Sequence, residues 1–162
     1  MRWSLGRGRR QGRALPEVPE PPSPPVTPGT TTFGPVAGRY LASTSAGQWL
    51  DRISAHGLGV ASRADLLVRS DGILITRDEG SALYLPAECL RKVRLDRSLG
   101  GNVYEVDGVV VITWRNGARL LDTGFRAVAP AQHLPIQTAV LPMVARATPS
   151  APAGGSTHGG AR

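Results

Sequence analysis

The chain has 162 residues, of which 20 are glycine and 14 are proline, so about a fifth of it is poorly suited to the interior of a helix or strand. This length accommodates one modest domain, and an aromatic content of 5% argues against a large aromatic core. The single cysteine, Cys89, excludes an intrachain disulfide, and we expect it to pack as a small apolar residue in a reducing compartment.

The formal net charge of +7 is concentrated at the N-terminus. Residues 1–13 hold five arginines and no acidic residue, whereas residues 38–129 hold 12 basic and 10 acidic side chains. A central part that is nearly neutral lacks the broad basic surface of a nucleic-acid-binding domain. We therefore expect no nucleic-acid partner.

Composition divides the chain into a central domain and two tails. Residues 16–35 contain eight prolines, a density that favours an extended, solvated spacer over helix or sheet. Together with the basic stretch before it, this spacer predicts a disordered linker over residues 1–37. Residues 148–162 are rich in serine, alanine, proline and glycine and predict a disordered tail. The predicted domain is residues 38–147.

Short apolar and β-branched segments within this domain predict strands, in chain order, at residues 39–44, 64–69, 73–77, 81–85, 90–95, 103–106, 109–115 and 119–123. Turn signals at Asp71-Gly72, Asp107-Gly108 and Asn116-Gly117 predict an antiparallel meander. Residues 129–146 have apolar side chains at helical spacing (Leu134, Val140, Leu141 and Val144). Pro135 and Pro142 are expected to limit this segment to short or kinked helical pieces.

This layout predicts a mainly β fold, a small antiparallel barrel of about seven strands whose open end is capped by a C-terminal helix. A β-sandwich remains an alternative, although it has no use for the terminal helix. The longest apolar runs are far shorter than the roughly 20 residues of a transmembrane helix.

Three stretches carry a family resemblance: residues 38–53, residues 56–63 and residues 113–126. They resemble the pleckstrin-homology-like (PH-like) domain proteins of high-G+C Gram-positive bacteria, over residues 38–127 and most specifically at the Asp-Thr-Gly-Phe-Arg sequence of residues 122–126. The resemblance implies a PH-like barrel that serves as a binding or assembly scaffold, and it brings no catalytic residue with it.

Proteins of that group usually have an N-terminal membrane helix before a basic, proline-rich linker. The present sequence begins at what resembles the cytoplasmic flank of such a helix, which implies either a truncated start or a paralogue without an anchor. The resemblance therefore implies a location at the cytoplasmic side of the plasma membrane, with the cytoplasm as the alternative.

Two groups of basic residues are candidates for contact with anions or with an anionic membrane surface. Basic residues beside a membrane fit the positive-inside bias and attract anionic lipids. The alternative for both groups is a solvated basic surface without a binding role. The candidates are Arg7, Arg9, Arg10 and Arg13 in the tail, and Arg91, Lys92 and Arg94 in the domain.

The sequence lacks the residue spacings of metal and cofactor sites, so we expect neither. Asp51, Ser54 and His56 could form a Ser-His-Asp arrangement, but no Gly-x-Ser-x-Gly motif accompanies them. Trp49 and Trp114 lie in apolar stretches and are predicted to belong to the core. The hypothesis is a non-catalytic binding module with a protein or peptide partner. The alternative is a small enzyme or transporter accessory that acts on a soluble ligand.

Overall fold

Glycine turns and alternating apolar residues build an antiparallel sheet that a C-terminal helix covers. The computed structural model describes residues 15–148. Its elements are strands β1 (Thr31–Ser45), β2 (Ser62–Arg69), β3 (Gly72–Arg77), β4 (Leu83–Pro86), β5 (Leu90–Asp96), β6 (Ser98–Leu99), β7 (Asn102–Val103), β8 (Val109–Asn116) and β9 (Arg119–Ala127), and helix α1 (His133–Ala147). Single turns of 3-10 helix occupy Ala55–Gly57, Ala87–Cys89 and Pro130–Gln132.

The long strand β1 joins the two halves of the main sheet, whose strand order is β4-β3-β2-β1-β9-β8-β5. The first part of β1 pairs with β2 and the last part pairs with β9, and Gly38 pairs with both Ala64 and Ala127. A Cβ atom at Gly38 would collide with the carbonyl oxygen of Arg126 and the ring of Phe125. Glycine is therefore required where β1 passes between β2 and β9.

Helix α1 closes the open end of the curled sheet. Its buried side chains, at helical spacing, are His133, Ile136, Val140 and Met143. The helix packs against β5 and also reaches β1, β2 and β8. It lies over the 3-10 turn Ala87–Cys89, which connects the two edge strands β4 and β5. The predicted fold, mainly β with one C-terminal helix over a small antiparallel barrel, is confirmed.

The hairpin of β6 and β7 forms a second layer on the outer face of the sheet. Leu99 packs there with Leu41, Val109 and Val111, and a Cβ atom at Gly124 would collide with the Leu99 side chain. The turn between β6 and β7 is Gly100-Gly101, with φ angles of 64° and 87° that favour glycine. The prediction of a strand at residues 103–106 paired across Asp107-Gly108 is wrong, because the Gly100-Gly101 turn pairs Val103 with Ser98 instead.

Two predictions that rested on proline need correction. Thr31 to Pro35 belong to β1, although proline density favoured a spacer there, and the first strand thus begins before residue 38. This part of β1 pairs with β2 only and is bulged, so proline removes no ladder bond on its free side. Helix α1 is one continuous element of 15 residues that contains Pro142 in its interior, so the expected division into short pieces is wrong. Pro135 is tolerated in its first turn, where N–H groups have no acceptor within the helix.

Candidate functional site

Strand β5 is an edge of the sheet, with β8 on one side and helix α1 along the other. The Gln137 side-chain amide of α1 donates a hydrogen bond to the carbonyl oxygen of Val93, at 3.4 Å. The main-chain groups of Val93 therefore point away from β8 and towards α1. Because alternate residues of a strand point their N–H and C=O groups to the same side, those of Leu95 share this direction.

The flank of α1 beside this edge is apolar. Leu134, Gln137 and Leu141 follow one another at spacings of three and four residues, which puts them on one stripe of the helix. Since Gln137 contacts β5, the leucines of this stripe lie on the flank nearest that strand. Their side chains are 62% exposed at Leu134 and 47% exposed at Leu141. We call the site formed by these three residues with Val93 and Leu95 the β5–α1 groove.

This groove has the chemistry needed to hold an extended chain. Its strand side offers main-chain donors and acceptors in the periodicity of a sheet, and its helix side offers apolar surface. At the start of β5, the Arg91 guanidinium donates to the carbonyl oxygens of Glu88 and Leu90 and so fixes the local backbone. The site is thus a rigid sheet edge with an exposed apolar wall.

The predicted basic patch divides into free and paired side chains. Lys92 is exposed, whereas Arg94 forms ion pairs with Asp96, at 3.0 Å, and Asp122, at 3.1 Å. Burial disfavours the charged form of Arg94, but its bonds to Asp122 and Asp96 outweigh burial and raise its pKa above the usual value. The two ion pairs of Arg94 therefore stabilise the outer face of the sheet.

Asp122 is the centre of this polar cluster. It is 1% exposed and accepts hydrogen bonds from the Thr113 hydroxyl and the Gly47 N–H as well as from Arg94. The cluster ties β5, β8 and β9 to the loop after β1. The four basic residues predicted in the tail, Arg7, Arg9, Arg10 and Arg13, lie outside the described residues.

The residues considered for catalysis have other partners. Asp51, Ser54 and His56 line one open cleft of about 500 Å³. The His56 Nε2–H, however, donates to the carbonyl oxygen of Val18, and Asp51 accepts from the Ser45 hydroxyl. Among residues 15–148, no side-chain hydrogen bond joins Ser54 to His56 or Asp51. The arrangement therefore lacks the proton relay of a Ser-His-Asp triad.

The two tryptophans have different environments. Trp114 is fully buried in the core, as predicted, and its indole N–H donates to Thr123 Oγ1 at 2.8 Å. The core prediction for Trp49 is wrong, because it lies in the loop after β1 and is 37% exposed. Cys89 is partly buried and packs against the core, and burial, followed by the negative charge of Glu88, raises the pKa of its thiol.

A buried chain of hydroxyl groups crosses the core and was not predicted. It runs from the Trp114 indole through Thr123 Oγ1 to Ser43 Oγ, at 2.7 Å, and on to the Tyr40 hydroxyl, at 2.8 Å. The Tyr40 hydroxyl donates to the carbonyl oxygen of Leu58 at 2.6 Å. Burial raises the pKa of Tyr40 to about 12. This series of hydrogen-bonded hydroxyl groups stabilises the fold.

The curled antiparallel sheet with its C-terminal helix defines a PH-like domain. A family model described as bacterial PH domain-like matches residues 16–140, and the chain belongs to this family. A comparison with curated proteins finds no match. The match begins within the proline-rich segment, upstream of β1, so the family pattern includes residues that composition had assigned to a linker.

The family suggests a non-catalytic binding or scaffold module. No helix within residues 15–148 is long and apolar enough to cross a membrane. The same residues contain no group of three or more histidine, cysteine, aspartate or glutamate side chains arranged to hold a metal ion.

Proposed function

We propose that this protein is a non-catalytic scaffold at the cytoplasmic face of the bacterial membrane, and that it binds an extended segment of a protein partner in the β5–α1 groove. The observation that carries the proposal is the direction of the main-chain groups of Val93, which point away from β8 beside two exposed leucines of α1. An added strand would pair with these groups and place alternate side chains against the helix.

The groove suits a peptide better than a small molecule. Its polar groups form a line along the strand, whereas small-molecule sites are concave and enclose most of their ligand. The contact of Gln137 with Val93 is long, at 3.4 Å, so an incoming strand can replace it at little cost. Leu134 and Leu141 then lose their exposure to water, which favours binding by about 25 cal/mol for each Å² of apolar surface covered.

The membrane location rests on the charge distribution. Residues 1–13 contribute five positive charges without an acidic residue, and each basic residue near an anionic leaflet contributes about 1 kcal/mol. Within the domain, Lys92 is exposed and Arg91 is partly exposed on β5, so they are the candidates for additional contact with lipid headgroups. The tail provides the main attraction in this proposal.

Selection of peptides from a random library on the immobilised full-length protein tests the groove. Selected peptides should bind the wild type and lose at least about tenfold in affinity for the double variant Leu134→Asp/Leu141→Asp, since two charges would meet the apolar side of the peptide. The matched control is Leu120→Asp/Val128→Asp, at two exposed apolar positions outside the groove. Equal loss of binding in both double variants would contradict the proposal, and so would unchanged binding in both.

A further inference from the structure

The proline-rich segment at residues 15–28 is attached to the surface of the barrel. We call this segment the strap. Its side chains are mostly exposed, and it forms no strand. Two residues beyond the strap, Thr30 exchanges hydrogen bonds with Ser70, and the chain then enters β1. The attachment of the strap therefore needs an explanation other than sheet pairing or burial of many side chains.

Side chains of the barrel hold the strap by its main-chain carbonyl groups. Three different elements contribute one donor each: the turn Ala55–Gly57, the end of β8 and the start of β9. The donor and acceptor pairs are Arg119 Nη1 to Pro16 O (2.9 Å), His56 Nε2 to Val18 O (2.8 Å) and Asn116 Nδ2 to Pro19 O (2.8 Å).

Contacts and backbone geometry within the barrel constrain the donors. Arg119 Nη2 donates to the Ser45 hydroxyl at 2.6 Å, and the Ser45 hydroxyl in turn donates to the Asp51 carboxylate. Asn116 is buried. His56 has a φ angle of 56°, a conformation that is uncommon for residues other than glycine. Donors that are held in place before a ligand arrives reduce the entropy lost on binding.

Two strap side chains fit the surface between these donors. Val18 is half-buried and packs against the main hydrophobic core. The Pro19 ring lies on Gly117, where a Cβ atom would come within 2.9 Å of the ring. A Pro-x-Val-Pro pattern, formed here by residues 16–19, thus satisfies the three donors and both apolar contacts.

We propose that Arg119, Asn116, His56 and Gly117 form a recognition site for extended proline-rich segments, and that the strap occupies it until a proline-rich segment of a partner protein replaces it. Proline has no N–H group, so such a segment presents carbonyl acceptors and flat rings. The site offers the complement, three donors and a glycine surface. Binding of extended proline-rich chains by preformed grooves is a general mode of peptide recognition.

Replacement of the strap is physically accessible. Its attachment to the site consists of three hydrogen bonds and the contacts of Val18 and Pro19, and each hydrogen bond has a net value of only about 1 kcal/mol. The strap is tethered, however, and a tethered ligand acts at an effective concentration of the order of millimolar. A free segment therefore competes weakly against the wild-type strap and strongly against a weakened one. This site is separate from the β5–α1 groove, so its failure leaves the proposed function intact.

The test uses the full-length protein with one strap substitution. Val18→Asp removes the apolar anchor, and Val26→Asp places the same charge at a fully exposed strap position as the matched control. The first probe is a labelled peptide with the sequence of residues 15–24, and the second is an unrelated peptide that keeps only the Pro-x-Val-Pro spacing. Both should bind Val18→Asp roughly tenfold or more tighter than the wild type or Val26→Asp, as measured by fluorescence anisotropy.

A third variant links the binding to the site. His56→Asn, combined with Val18→Asp, keeps a residue that tolerates the left-handed conformation but removes the imidazole donor, and it should weaken both peptides several-fold. Circular dichroism monitors the fold of each variant. Equal affinities of folded Val18→Asp and Val26→Asp would overturn the proposal, as would binding of the first peptide alone. The wild type could also form a concentration-dependent dimer that the unrelated peptide does not dissociate. That result would assign the site to a second copy of this chain and would overturn the proposal.

Discussion

Replacement of the buried Tyr40 by phenylalanine should change how the stability of the protein depends on pH. The Tyr40 hydroxyl donates to Leu58 O at 2.6 Å and bonds to Ser43 Oγ at 2.8 Å. At pH 7, Tyr40→Phe leaves these buried groups without one partner, which should lower the free energy of unfolding by about 1 to 3 kcal/mol. The loss should become smaller at high pH.

The magnitude of the pH effect follows from the pKa of Tyr40, which burial raises from 10.0 to about 12. Between these values the unfolded chain loses its phenolic proton while the folded chain keeps it, so stability falls as pH rises. Each unit of difference is worth about 1.4 kcal/mol, and the full effect on the free energy of unfolding is thus about 3 kcal/mol by pH 12. Below pH 10 the Tyr40 contribution is fully present.

Urea denaturation of the wild type and Tyr40→Phe, followed by circular dichroism from pH 9 to pH 12, measures this difference. The gap between the two free energies of unfolding should shrink or reverse as pH rises, because the phenylalanine variant has no proton to lose. The control Tyr104→Phe retains Tyr40 and should still show the loss. Parallel curves for the wild type and Tyr40→Phe across this pH range would refute the reasoning.

Two further predictions concern the polar cluster and the tail. Asp122→Ala removes the buried acceptor of Arg94 and Gly47, and urea denaturation at pH 7 should show a loss of about 2 to 4 kcal/mol, whereas a loss below about 0.5 kcal/mol would contradict the role of Asp122. Deletion of residues 2–13 should abolish sedimentation with anionic vesicles at 0.1 M salt. The full-length protein should itself lose this binding at 1 M salt, where the Debye length is about 3 Å. If the deleted protein still sediments, the membrane contact lies on the domain, and Lys92 becomes the residue to replace.

Local turn chemistry explains which parts of the fold were predictable. The two hairpins predicted from Asp71-Gly72 and Asn116-Gly117 are confirmed, because each joins strands that are neighbours in sequence, although the two-residue turns are Ser70-Asp71 and Gly117-Ala118. The turn at Gly100-Gly101 was missed, since the strands it joins have only two residues each and carry no periodic signal. Proline density favours a spacer over sheet, yet Pro35 lies in a bulged part of β1 that pairs on one side only.

The candidate sites depend on contacts between residues that are distant in sequence, and the sequence alone does not show these contacts. The spacing of Leu134 and Leu141 predicts a helix but not which of its apolar side chains stay exposed, and the structure leaves both exposed. The buried partner of Arg94, Asp122, is 28 residues away in sequence and comes close only through the sheet register. The attachment of the strap likewise needs His56 and other donors that only the folded barrel brings together.

Amide hydrogen exchange at Val93 and Leu95, with and without a saturating peptide selected on the full-length protein, tests the binding of an extended partner most directly. Pairing of the peptide with β5 should slow exchange of both amides by at least about tenfold, because their N–H groups would gain acceptors in a strand ladder. The amide of Tyr84, on the other edge strand β4, should be unaffected. Binding that leaves the exchange of Val93 and Leu95 unchanged would contradict the proposed groove.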